Sequence, residues 1–433
     1  MKTTINKVLM VSFLAVFLVA PLFISSTASA GWFDSKVKVM TQNLYLGADI
    51  FKVVDAAENP DPAKNGLDVP IAVAEIFQTV QYTNFPERAE AIANQIWFHR
   101  PHLIGLQEVS IFYTQSPGDF LTVDLASDPP LIVNPDHDPA EDVVYDFLAI
   151  LLNALSARGL NYVVAVEGDN ADVEVPMLTG FTTITIPGPT GPIEIDVPTF
   201  DDVRLVDRDV ILVRSDVAYE NAVAANYGTN LSQPIAGVEL EFTRGWVGAD
   251  VTVDGGTYRF VNTHLEVRSS PYSIFRVVQS AQMQELLTIL SYEPKPIILV
   301  GDFNNSPEDV PGLGYYPEDL DEDGMPLPDA VGIPYVPPYM FATDPNFGFG
   351  YLMDAWDLLF FPRDGFTSGF SETIDDPFDQ LTSRIDLVLL DPKEKSINWV
   401  MGTVVGDNMF NMTPSGLWPS DHGGVVTWIS FTK

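Results

Sequence analysis

Two spacings of apolar residues recur along the chain, one with a period of two and one near 3.6. In VKVMTQN, Val37, Val39 and Thr41 alternate with Lys38, Met40 and Gln42 before Asn43, the pattern of a strand that ends at an amide. Segments beginning at His102 (HLIGLQEV), Asn161 (NYVVAVEG), Arg208 (RDVILVR), Tyr258 (YRFVNTHLEV), Ser383 (SRIDLVLLD) and Gly423 (GGVVTWISF) are dominated by β-branched and aromatic residues and predict further strands. The helical period appears in NFPERAEAIANQIWFHR, where Asn84 and Glu87 form a candidate capping pair and Ala89, Ile92, Ala93 and Ile96 share a face before Pro101. Tyr145, Leu148, Leu152 and Leu155 predict a second helix closed by Gly159, and a third is expected from about Pro271 to Tyr292.

PIILVGDFNNSP combines two tendencies. Ile297, Ile298, Leu299 and Val300 form an unbroken apolar run, which a strand shows when both of its faces are buried. The run then delivers Asp302, Asn304 and Asn305 at its far end. Several strands of this kind interspersed with amphipathic helices predict an α/β fold of two packed sheets with helices outside, in one domain. Stretches of about 110–141 and 306–346 are rich in Pro, Gly and acid and are expected as long inserted loops.

Composition narrows the setting. Lys2 and Lys7 precede an apolar stretch from Val8 to Ile24, and Ala28-Ser29-Ala30 offers a small-residue cleavage site, so residues 1–30 are expected to be a secretory signal peptide and residues 31–433 the mature domain. An uncleaved anchor is the alternative, disfavoured by the shortness of the stretch and by Pro21. The chain has no cysteine, so an exported protein here has no disulfide staples and relies on its core and on any bound ions. With 22 Lys plus Arg against 59 Asp plus Glu, the net charge is −37, a field that repels polyanions. Sequence-independent nucleic-acid binding is thereby disfavoured, although the acidity also serves solubility.

Asn43, Glu108, His264, Asp302, Asn304, Asp386, Asp421 and His422 all fall at or beside predicted strand ends, where layered folds gather side chains from distant segments. Carboxylates and amides of this kind suit Mg²⁺, Mn²⁺ or Ca²⁺, and the lack of Cys argues against a zinc cage. Each residue alone has an ordinary structural explanation as a turn former or surface group. The five histidines are more telling, because only His264 and His422 adjoin strand-like motifs.

MTQNLYLG, IGLQEV, VNTHLEV, LVGDFNNSP, SRIDLVLL and PSDHGGV occur in an order and spacing that resembles the endonuclease/exonuclease/phosphatase superfamily over nearly all of the mature chain. The resemblance implies a deoxyribonuclease-like four-layer sandwich, two mainly antiparallel sheets flanked by helices. It also implies that Glu108 is the principal metal ligand, assisted by Asn43, with Asp421 reaching the metal or a second one. Asp302 would orient or deprotonate the attacking water, Asn304 would hold phosphate or that nucleophile, and Asp386 would orient His422 on the scissile phosphate. His264 would act on the phosphate or the leaving group. Phosphodiester hydrolysis needs neutralised charge, an aligned water and a proton for the departing oxygen, and this set supplies all three.

Two further signals stand apart. Asp319, Asp321, Asp323 and Asp329 in DLDEDGMPLPD resemble the opening of a calcium loop, which would order an insertion with a separate structural Ca²⁺; an acidic, solvated turn is the alternative. GFTTITIPGPTGPIEIDVPTF predicts two short strands about a Pro/Gly turn with Ile184, Ile186, Ile193 and Ile195 on one face, either packed or free to touch a lipid surface.

The sequence thus predicts a secreted, metal-dependent phosphodiesterase leaning to a lipid or small-molecule substrate, sphingomyelinase-like. The first alternative is an extracellular nuclease drawing positive potential from Arg204, Arg208, Arg244, Arg268 and Arg276. The second is a noncatalytic, calcium-stabilised binding protein on the same fold.

Overall fold

The computed structural model describes residues 34–432 apart from 126, 128–130, 236–237, 271, 322 and 360; the expected signal peptide lies outside the described residues. The strand Asp34–Asn43 pairs in parallel with Leu103–Gln107 and antiparallel with Gly424–Thr432. That sheet continues outward through Ile397–Val405 on one side and through Gly191–Arg214, Ile111–Gln115 and Asp142–Asp146 on the other, with Tyr162–Gly188 also paired to Gly191–Arg214. A second sheet runs in the order Met353–Asp354, Asp386–Asp391, Ile297–Asp302, Gly256–His264, Gly245–Val253, Ala218–Asn226. Only its Gly256–His264 and Ile297–Asp302 neighbours are parallel.

Strand alternation explains the apolar runs. Ile298 and Val300 point into the core between the sheets with Val39, Leu103, Ile211 and Phe260, whereas Ile297 and Leu299 point outward beneath the helix Ile274–Ser291. The first sheet is covered on its outer face by helices Phe51–Glu58, Asp68–Tyr82, Phe85–His99 and Phe147–Ala157. The layers are therefore helix, sheet, sheet, helix, as expected. Gly301 marks the point where the chain crowds its neighbour: at φ +150° a Cβ would lie 2.0 Å from the Thr263 carbonyl oxygen, so only glycine fits immediately before Asp302.

The stretch of about 110–141 is more ordered than its composition suggests, because Ile111–Gln115 pairs with Gly191–Arg214. The isoleucine hairpin is likewise the tip of two strands of 27 and 24 residues, with Ile184 opposite Ile195 and Ile186 opposite Ile193.

Candidate active site

The two parallel pairings put the carboxyl ends of four inner strands at one edge of the sandwich. Asn43 closes Asp34–Asn43, Glu108 follows Leu103–Gln107, His264 closes Gly256–His264 and Asp302 closes Ile297–Asp302. Antiparallel neighbours deliver Asp386 and His422 to the same edge from their starting ends. Register sets His264 beside Asp302 and Asp302 beside Asp386. Glu108, His264, Asp302, Asn304, Asp421 and His422 line one cavity of about 300 Å³.

Local backbone conformation aims these groups. Glu108 and Asn304 adopt left-handed φ values of +53° and +48°, uncommon for residues with a side chain and a form of strain found at functional sites. The Leu46 N–H donates to Glu108 Oε2 at 2.7 Å, and Asn304 N donates to Asp302 Oδ1 at 2.8 Å. Ser420 Oγ donates to the Asn43 carbonyl at 2.8 Å and accepts from His422 N at 3.1 Å, tying the turn before His422 to the end of the first strand. Thr367 accepts from Asp386 N through its hydroxyl and from Gly423 N through its carbonyl, which aligns the two partners of the His–Asp pair.

Asp302 Oδ2 is the hub. Asn43 Nδ2 donates to it at 3.0 Å, and Nε2 of His264 and of His422 lie 3.6 and 3.8 Å away. Burial, and then the charge of Asp386, push the Asp302 carboxyl up to about 7 against the pull of His422. His422 Nδ1 meets Asp386 Oδ2 at 2.8 Å. Burial disfavours its charge, but Asp386, Asp421 and Asp302 outweigh that and hold the ring well above the ordinary histidine value. His264 is held well below it by burial, then by Arg244 and His422. The two imidazoles are thus pushed in opposite directions, which favours the proton on His422 over His264.

Asn43 is hydrogen-bonded at both ends of its amide. Its Oδ1 accepts from Tyr45 N at 2.8 Å, while its Nδ2 faces Glu108 Oε1 at 2.9 Å and Asp302. Turning the amide over would set NH₂ against N–H, so the Tyr45 contact fixes which end of the amide faces the two carboxylates. In DLDEDGMPLPD, Asp321 Oδ1 accepts from Asp323 N and Met325 N of its own turn.

Among the described residues, Asp302, Asp386 and His422 have potential ligand atoms within 4.8 Å of one another. The Asp386–His422 hydrogen bond already occupies two of them, and Asp386 is buried away from the cavity. Glu108 and Asp421 line the cavity itself, Glu108 with its two oxygens accepting from Asn43 Nδ2 and Leu46 N. Burial, together with the Glu108 and Asp386 charges and against His422 and Arg88, raises the Asp421 carboxyl to about 6, so these acids repel each other in a way that a divalent cation would relieve. The oxygen donor set fits a hard cation.

Several residues at the site escape a motif reading. Arg88, on the helix Phe85–His99, is fully buried and donates to the carbonyls of Thr83, Leu44, Tyr45 and Pro419, clamping the segments that carry Asn43 and Asp421. Arg244 lines the cavity, meets His264 Nδ1 at 3.1 Å and lies 3.9 and 3.7 Å from Asp207 and Glu266. Asp207 is pushed up to about 6 by burial and by Glu108 despite Arg244, and Asn170 donates to neighbouring Asp209 at 3.1 Å. The visible signal is three consecutive charges, Asp207 to Asp209, directly before the apolar run Val210–Val213.

A cavity lined by carboxylates and by two imidazoles, one of them held by Asp386, has the groups that a hydrolase of phosphoric esters uses. The chain belongs to the Endonuclease/Exonuclease/phosphatase family, whose sequence profile matches residues 40–422. No curated protein matches it significantly. Among solved structures, it is similar to Danio rerio TDP2 humanized by 14 mutations, at 13% identity and a TM-score of 0.43 over 92% of this chain and 99% of that one. An endonuclease/exonuclease/phosphatase family protein from Leptotrichia buccalis gives 15% identity and a TM-score of 0.43 over 91% and 99%. The human Nocturnin catalytic domain with bound sulfate gives 16%, 0.39, and 92% and 95%.

Asp386→Asn provides a test of the pKa logic. Removing its charge lowers both His422, which then responds to burial alone plus the more distant acids, and Asp302. If Asp302 must lose its proton and His422 keep one, activity lies between their two pKa values, so both limbs of the pH profile of kcat/KM should move to lower pH. An unmoved profile contradicts the assignment.

Proposed function

We propose that the chain is an exported, divalent-metal-dependent phosphodiesterase acting on a lipid or small-molecule phosphodiester, sphingomyelinase-like in substrate class. The observation that carries this reading is the convergence of Glu108, Asp302, His264 and His422 on one cavity, with Asp302 Oδ2 facing both imidazoles. Glu108 and Asp421 would hold the cation, which would neutralise charge on the nonbridging phosphoryl oxygens. Asp302 orients a water and takes its proton as the water oxygen bonds to phosphorus. His422 gives its proton to the departing ester oxygen as that P–O bond breaks, leaving a phosphomonoester and an alcohol. Asp386 holds the His422 ring in place, and Asn304 fixes the Asp302 carboxylate.

The arginines support a substrate other than a nucleic acid. Arg204 pairs with Asp172, Arg208 with Asp146 and Glu167, and Arg268 and Arg276 both with Asp309, while Arg244 sits between Asp207 and Glu266. Cations already neutralised by neighbours release few counterions from a polyanion. Export rests on residues 1–30 alone. The test is a panel of bis-p-nitrophenyl phosphate, sphingomyelin and plasmid DNA, each with Mg²⁺, Mn²⁺, Ca²⁺ or chelator. We expect cation-dependent turnover of the first two and intact plasmid; DNA cleavage without lipid turnover reverses the substrate preference.

A further inference from the structure

We propose that the catalytic cavity opens into a second, wholly apolar pocket that receives a short hydrocarbon arm of the substrate. This inference rests on the phosphodiesterase reading and extends it to the part of the substrate that does not react. Ile50, Val173, Leu205 and Phe242 line both spaces, so the two adjoin across these four side chains. The inner space, about 60 Å³, is closed by groups such as Phe77 and Phe112 from the helix Asp68–Tyr82 and the strand Ile111–Gln115, and its lining contains no polar side chain.

The chemistry of the occupant follows from that lining. A buried water needs two or more hydrogen-bonding partners, and these walls supply none through their side chains, whereas an apolar group gains by leaving water. A phosphate, a sugar or a nucleobase carries polar atoms that would go unsatisfied there. On the measure by which one water needs about 10–15 Å³, the space holds on the order of four carbons of an alkyl chain. Such a substrate is amphiphilic: its phosphodiester lies between Glu108, Asp302 and His422, and its apolar arm turns beneath Ile50 and Phe242 toward the helical layer. The same pocket discriminates between substrates that share a leaving group.

The experiment uses n-alkyl p-nitrophenyl phosphates from methyl to octyl, together with n-alkylphosphonates as nonhydrolysable ligands followed by calorimetry, on the full chain with divalent cation. We expect kcat/KM and phosphonate affinity to rise by roughly threefold to fourfold per methylene and to level off after about four carbons. Val175→Phe, which narrows only the inner pocket, should flatten both series while the methyl ester is turned over as before. If the esters are cleaved at one rate whatever their length, and phosphonate affinity is equally flat, the pocket is not a subsite. If no ester is cleaved but phosphonate affinity climbs with length, the pocket stands and the phosphodiesterase reading falls. Should Val175→Phe fail to fold, the phosphonate series on the unmodified chain decides alone.

Discussion

Asp302→Asn is expected to lower kcat/KM by about 10²–10⁴-fold, the range a positioned general base supplies, with the fold intact. The substitution is nearly isosteric. An amide oxygen at the Oδ1 position still accepts from Asn304 N, and the strand Ile297–Asp302 stays packed on both faces. What changes is Oδ2, which accepts from Asn43 and faces the Nε2 atoms of both histidines. An amide there cannot take a proton from water. Steady-state kinetics alongside circular dichroism separates the two contributions: loss of rate with an unchanged spectrum is the predicted result, and full activity in the variant contradicts the role.

Glu108→Gln is the second large effect. Glu108 sits in a left-handed conformation at a strand end, with Asn43 and Leu46 donating to its two oxygens. Glutamine can accept at one position, but its amide nitrogen confronts a donor at the other. The loss of charge matters more, because Glu108 is the carboxylate that would anchor the cation with Asp421. We expect a fall in kcat/KM on the order of 10³-fold, together with a higher divalent-ion concentration for half-maximal activity. Chelator should abolish activity of the unsubstituted protein reversibly. Chelator-resistant turnover, or a Glu108→Gln variant with unaltered ion dependence, contradicts this account.

Much of this arrangement is legible in the sequence. The apolar run Ile297–Val300 is legible because a strand covered on both faces must be apolar at every position. Its abrupt polar end is legible because a sheet edge is where such side chains find each other. Other features stayed hidden for physical reasons. Helix Asp68–Tyr82 carries Pro70 in its first turn and so resembles a loop, and helix Phe51–Glu58 is too short for its period to stand out. Arg88 lies in a run of polar residues typical of a solvated helix face, yet it is buried against carbonyl oxygens that no local pattern reveals. Asn43 could be placed at the site from sequence, but which end of its amide faces the carboxylates depends on Tyr45 N, a contact set by loop geometry.

The central claim is that segments separated by more than a hundred residues act as one catalytic unit, and a double-mutant cycle on Asp302 and His422 tests it most directly. Rates for Asp302→Asn, His422→Gln and the double variant should be measured on bis-p-nitrophenyl phosphate at fixed pH and saturating cation. Groups acting together in one step lose their effect together, so the double variant should be about as slow as the slower single variant. Losses that multiply, or single variants as fast as the unsubstituted protein, would mean that these side chains do not share a reaction.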